Sequence, residues 1–159
     1  MDSREFTEHY RQYLPMVSKF FAYRGESADI EDLASQVFSI AWQKRDSAPS
    51  EFLAAWLYRI AGNVLANHRR KSAFRVTLPL LDTDLLAPSA ESLAIANVAI
   101  REAWRTLNAK DRLILSLVSL EGFTLEECAA TLRISKNAAT IRFHRAKKNF
   151  ETALKESEG

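Results

Sequence analysis

Apolar residues recur along this chain at intervals of three and four, the spacing that lines one side of an α-helix, and β-branched stretches alternating with period two are few. From Arg4 to Tyr23 the series Phe6, Tyr10, Tyr13, Leu14, Val17, Phe20 and Phe21 predicts an amphipathic helix, with Pro15 able to bend or divide it. Arg24-Gly25-Glu26-Ser27 reads as a stop and a restart, where Ser27 or Asp29 can cap the next amides. Ile30, Leu33, Ala34, Val37, Phe38 and Ala41 then form one buried stripe, leaving Glu31, Asp32, Ser35, Gln36 and Gln43 on the opposite face. That polar face is either solvated surface or a place to bind a basic protein. After a turn at Arg45-Asp46-Ser47-Ala48-Pro49-Ser50, a third helix is predicted from about Glu51 through Lys71, buried through Leu53, Trp56, Leu57, Ile60, Val64 and Leu65.

The period lapses between Ser72 and Ser92, where Pro79 and Pro88 stand among Thr77, Asp82, Thr83, Asp84 and Ser89. This segment reads as a linker, but Leu78, Leu80, Leu81, Leu85 and Leu86 are too apolar for a free one, so part of it is expected to dock. Helical spacing resumes from about Leu93 to Leu107, with Asn108 placed to cap a further helix from Asp111 to Leu120. Gly122 permits a left-handed stop, and Thr124-Leu125-Glu126-Glu127 matches a capping box that starts a short helix to about Leu132. Arg133-Ile134 turns the chain, and Ser135 caps a longer helix to about Leu154. Helix, tight turn, helix is the helix-turn-helix arrangement. Leu125, Cys128, Ala129 and Leu132 face inward from its first member; Ala139, Phe143, Ala146 and Phe150 do so from the second. The expected fold is all-α, two small helical domains at residues 1–72 and 92–159 joined by a linker at 73–91.

The composition is that of an ordinary globular protein, with 22 Lys plus Arg against 20 Asp plus Glu in 159 residues. No apolar run is long enough to span a bilayer and the first residues lack a signal-peptide core, so a cytoplasmic protein without membrane insertion is expected. The single cysteine, Cys128, excludes an internal disulfide framework and a zinc site needing several thiolates. His9, His68 and His144 share no ligand spacing, and neither a glycine-rich phosphate loop nor a partnered nucleophile is present, so no metal, cofactor or enzyme activity is expected.

Arrangement of charge is more informative than its sum. No acid occurs between Glu51 and Asp82, nor between Glu127 and Glu151, so each half ends in a purely basic segment, as if one polyanion were touched twice. On the third helix, Arg59, Asn63, Asn67 and Arg70 share a side, accompanied by Arg69 and Lys71. Donors and amides of this kind suit phosphates and base edges. Tyr58, off the apolar stripe, either stacks on an unpaired base or is covered by neighbours. On the last helix, Lys136, Asn137, Thr140, Ile141 and His144 face outward, with Arg142, Arg145, Lys147 and Lys148 on the shoulders. Ile141 meets either a thymine methyl group or another part of the chain.

Asp29-Ile30-Glu31-Asp32-Leu33-Ala34-Ser35-Gln36-Val37-Phe38, Phe52-Leu53-Ala54-Ala55-Trp56-Leu57-Tyr58-Arg59-Ile60-Ala61-Gly62-Asn63, Gly122-Phe123-Thr124-Leu125-Glu126-Glu127-Cys128-Ala129 and Phe143-His144-Arg145-Ala146-Lys147 occur in order over nearly the whole chain. Together they resemble the sigma-70 family of bacterial transcription initiation factors, in its short two-domain, extracytoplasmic-function form. The resemblance implies a region 2 that grips the clamp helices of RNA polymerase's largest subunit through Asp32, Leu33, Gln36 and Phe38 and melts the minus-ten element. It implies a region 4 that reads the minus-35 element and meets the polymerase flap. It further implies capture of an unpaired base near the turn from Ser47 to Phe52, a linker with Asp82, Asp84 and Glu91 running through the polymerase, and restraint by a separate anti-sigma protein. Ser35-Gln36 departs from the usual glutamine and acid, and Arg133 stands where a turn glycine is common. The rival reading is a two-domain helix-turn-helix repressor or activator that never joins polymerase.

Overall fold

A computed structural model describes residues 1–73 and 83–158, and those residues contain helices and connections but no strand. The helices are α1 (Ser3–Tyr23), α2 (Ile30–Gln43), α3 (Leu53–Ala73), α4 (Thr83–Leu86), α5 (Val98–Thr106), α6 (Ala109–Ser119), α7 (Leu125–Leu132) and α8 (Lys136–Glu158), with a 3-10 turn at Arg45–Ser47. The chain divides into two compact units. The first comprises Met1–Ala22 and Glu26–Asp82; the second comprises Tyr23–Gly25 and Thr83–Gly159.

In the first unit, α2 lies against α3. Val17, Phe20, Phe21, Leu33, Val37, Ala41, Leu57, Ala61, Val64 and Leu65 are buried. Fully covering a large apolar side chain stabilises by about 1.5–3 kcal/mol, so this stripe pairing is the unit's main source of stability. Phe20 meets Tyr58 edge to face at 4.9 Å, and Tyr10 meets Phe38 likewise at 4.8 Å. Asp29 occupies the N-cap position of α2, although its side chain makes no capping bond.

In the second unit, α8 packs on α5, α6 and α7. Trp104, Leu107, Ile114, Leu115 and Ala146 form the core, with Phe143 and Phe150 packed against it. Residues 83–91, part of the segment expected to link the domains, belong to this unit: Leu85, Leu86, Ala87 and Ala90 are buried, and Trp104 Nε1–H donates to the Pro88 carbonyl at 2.9 Å. Leu78, Leu80, Leu81 and Asp82 lie outside the described residues. Arg24, also in the second unit, donates to the Leu86 carbonyl at 2.8 Å and pairs with Glu121 at 3.1 Å, both side chains being 1% exposed. Burial pushes the Glu121 carboxyl above its usual range, against the pull of the guanidinium.

Local signals set the remaining ends. Asn97 Oδ1 accepts from the Ile100 amide, so α5 begins at Val98 rather than near Leu93; Ala94, with φ 53°, interrupts the expected earlier turn. Asn108 Oδ1 accepts from the Asp111 amide at 2.8 Å. The capping box of α7 is complete, Thr124 and Glu127 exchanging two bonds of 3.0 Å. Between α7 and α8, Arg133 is left-handed (φ 57°, ψ 46°) and Ser135 Oγ accepts from the Ala138 amide. No helix among the described residues is long and apolar enough to cross a membrane.

Candidate nucleic-acid interface

The outer side of α8 follows from its packing. Ala139 and Ala146 are wholly buried, which turns Asn137, Ile141 and His144 outward, Ile141 with 44% of its surface exposed. Thr140 is partly covered and its hydroxyl donates to the Lys136 carbonyl at 2.9 Å. Lys136 Nζ lies 2.6 Å from Glu126 Oε1, a link between the two helices of the motif. That hydrogen bond holds the Glu126 carboxyl below its usual range. Arg145, Lys147 and Lys148 are exposed and Arg142 is half-buried. Cys128 is fully buried, and burial pushes its thiol up to about 12, so it is a core residue without nucleophilic character.

On α3 the expected polar side divides. Asn67 and Arg70 are exposed and Arg70 Nη2 donates to Asn67 Oδ1, whereas Arg59 and Asn63 are half-buried. Arg69 Nε donates to Glu26 Oε1 at 3.2 Å, and His68 Nε2 stands 3.2 Å from Glu26 and 3.7 Å from Asp29. The grouping of Glu26, Asp29 and His68 brings ligand-type atoms within 4.8 Å of one another, but Arg69 shares the Glu26 carboxylate, so the cluster acts as an ion-pair tie between α3 and the turn before α2. Sequence spacing concealed it, because the partners are 43 positions apart. The side chain of Lys71 lies outside the described residues.

Three expectations need correction. Tyr58 is 1% exposed in the core against Phe20, so its ring faces no base. Leu33 and Phe38, at 1% and 5% exposure, fill the interior of the first unit; the surface of α2 is made by Glu31, Asp32, Ser35 and Gln36. Among the acids expected in the linker, Glu91 is bonded to Arg105 and Asp84 lies in α4, so both belong to the second compact unit. Phe52, which ends the turn where capture of a base was expected, is 42% exposed just before α3 and has φ 59°. The signal was an aromatic residue at the end of a Pro- and Ser-containing turn.

Comparison with known proteins follows the same division. Residues 9–75 match Sigma-70 region 2 and residues 97–150 match Sigma-70, region 4. The ECF RNA polymerase sigma factor SigF of Caulobacter vibrioides is 34% identical over 139 residues, covering 85% of this chain and 76% of that protein. ECF RNA polymerase sigma factor BldN of Streptomyces coelicolor is 31% identical over 152 residues, covering 86% of this chain but 54% of BldN, so the chain spans about half of that relative. Among solved structures, RpoE in complex with the anti-sigma factor NepR from Bartonella quintana aligns with TM-score 0.62 and 23% identity over 96% of this chain and 98% of that one. CnrH in complex with the cytosolic domain of CnrY aligns with TM-score 0.63 and 22% identity over 98% and 90%; these two likenesses are of fold. The two regions in order and the identity to SigF place the chain in the sigma-70 family of transcription initiation factors, among its ECF members.

Proposed function

We propose that the chain joins core RNA polymerase and carries it to promoters, with α8 in the major groove of the upstream element and the first unit at the melted one. The observation that carries this reading is the outer side of α8. An exposed isoleucine stands between amide, imidazole and cationic groups, on a helix whose other side is sealed by Ala139 and Ala146. Asn137, Thr140, Ile141 and His144 face the base edges, while Lys136, Arg142, Arg145, Lys147 and Lys148 hold phosphates. On α3, Arg59, Asn63, Asn67 and Arg70 follow the adjoining strand, joined by Lys71, and Phe52 stacks on an unpaired base. Arg69 steadies the turn before α2 through Glu26 and contributes field rather than a contact.

Asp32 and Gln36, exposed on α2 beside Glu31, meet a basic surface of the polymerase. Region 4 has a second protein-binding feature, an apolar cleft of about 320 Å³ lined by Leu93, Ile95, Ile100, Trp104, Leu120 and Phe150. Such a groove suits an amphipathic helix, whether from the polymerase flap or from an anti-sigma protein of the kind that accompanies RpoE.

Run-off transcription with core polymerase on fragments of the source genome tests the proposal directly. A promoter-dependent transcript that requires this chain is expected. A chain that purifies away from polymerase and yields no such transcript from any fragment belongs instead to the repressor or activator reading.

A further inference from the structure

We propose that a cleft beside the helix-turn-helix, between the start of α6 and the flank of α8, receives the sugar-phosphate edge of the upstream duplex, with Lys110 contacting a phosphate of its own that α8 does not reach. The inference rests on the reading of α8 as a duplex-binding helix and adds to it a site and a residue. The cleft is about 480 Å³, and Lys110, Arg142 and Arg145 line it together with Asp111 and Ile141. Three cations around one concavity repel each other, and one carboxylate answers only part of that charge. Asp111 is moreover already engaged: it is 8% exposed, and Asn149 donates to its Oδ2 at 2.9 Å.

A cavity with surplus positive charge favours an anion, and its place on the unit selects which one. Ile141 lines both the cleft and the exposed face of α8, so a duplex seated on that face brings its own sugar-phosphate edge to the cleft. A water molecule takes about 30 Å³ of liquid, so the space admits a phosphate with part of its hydration shell. Lys110 is exposed, and its flexible stem carries a point charge that reaches a phosphate oxygen without demanding one geometry. Arg142 and Arg145, on α8, meet the neighbouring phosphates. A phosphate carries no sequence information, so Lys110 sets affinity and register rather than preference.

The test measures binding of the holoenzyme to a promoter duplex and to a random-sequence duplex across a salt series, comparing Lys110→Ala, Lys110→Arg and Arg142→Ala/Arg145→Ala with the parent. Lys110→Ala is expected to weaken both duplexes by the same factor and to reduce the magnitude of the log–log salt slope by about 0.9, the contribution of one phosphate, with Lys110→Arg restoring it. An unchanged slope in Lys110→Ala, or a loss confined to the promoter duplex, overturns the inference. If Lys110→Ala is silent while Arg142→Ala/Arg145→Ala lowers the slope, the cleft fails and the α8 reading stands. If neither variant moves the slope, the α8 reading fails with it. Melting temperatures measured alongside separate a folding defect from a binding defect.

Discussion

Phe52 joins a left-handed backbone to a ring 42% open to solvent. For a bulky residue that conformation costs roughly 1–2 kcal/mol, which is the motive for assigning Phe52 to base capture in the proposed function. Phe52→Ala is expected to weaken open-complex formation by roughly 1–3 kcal/mol, the worth of one stacked base, without altering duplex binding through α8. Permanganate reactivity of unpaired thymines reads the first and duplex binding the second; equal melting by variant and parent removes Phe52 from base capture. Tyr58 shows the limit of periodicity at this scale. A ring one step off a stripe is equally compatible with surface and core, and only the edge-to-face seat on Phe20 settles it. Cys128 illustrates the opposite case, where small size and inward spacing already implied burial. With its thiol pushed up to about 12, the folded state binds that proton more tightly than the unfolded chain, whose cysteine titrates at about 8.5. The stabilising share is therefore complete below about 8.5 and erodes as pH rises toward about 12. Native protein at neutral pH should resist iodoacetamide and react only at the rate of unfolding, as intact-mass measurements will show; rapid stoichiometric labelling contradicts the burial.

Helix ends were the most legible elements, because capping depends on side chains within four positions of the backbone they serve. The Thr124–Glu127 box, the Asn108 cap and the Ser135 cap all follow from residue type and spacing. The start of α5 did not. Ile95 stands at helical spacing before Val98 and Ala99, yet it and Leu93 pack on the core ahead of the helix, while Asn97 supplies the effective cap. Long-range ties were equally invisible: nothing local joins Arg69 to Glu26 or Arg24 to Glu121. Arg133 is where local reading and strain agree, since a turn residue usually filled by glycine is here left-handed with a side chain. Arg133→Gly removes the Cβ penalty and adds unfolded-state entropy, for a net gain of about 0.5–1 kcal/mol. Thr124→Ala, which deletes a cap that donors already use, should cost about 1 kcal/mol. Both read out as shifts in the urea midpoint at constant slope, and a stability loss in Arg133→Gly shows that the arginine side chain holds the turn by contacts that outweigh its strain.

At the scale of the whole molecule, the near-neutral net charge conceals two acid-free segments, each in a separate compact unit. The division of labour they imply is measurable because counterion release is additive over phosphates that are touched independently. On α3, Arg70 is exposed and Arg59 half-buried, and both lie in the first unit; Arg142 and Arg145 lie in the second. If each unit meets its own stretch of one promoter, Arg59→Ala/Arg70→Ala and Arg142→Ala/Arg145→Ala will each lower the salt slope of holoenzyme binding by up to about 1.8, or about 0.9 for each phosphate no longer neutralised. The quadruple variant will lower it by the sum, since sites without shared partners act independently. Truncating the DNA gives a second, orthogonal readout. Removing the upstream duplex should abolish the decrement from the second unit and leave that of the first intact. A quadruple variant no worse than one of the doubles means that only one unit touches DNA, and the remaining basic face is solvated surface.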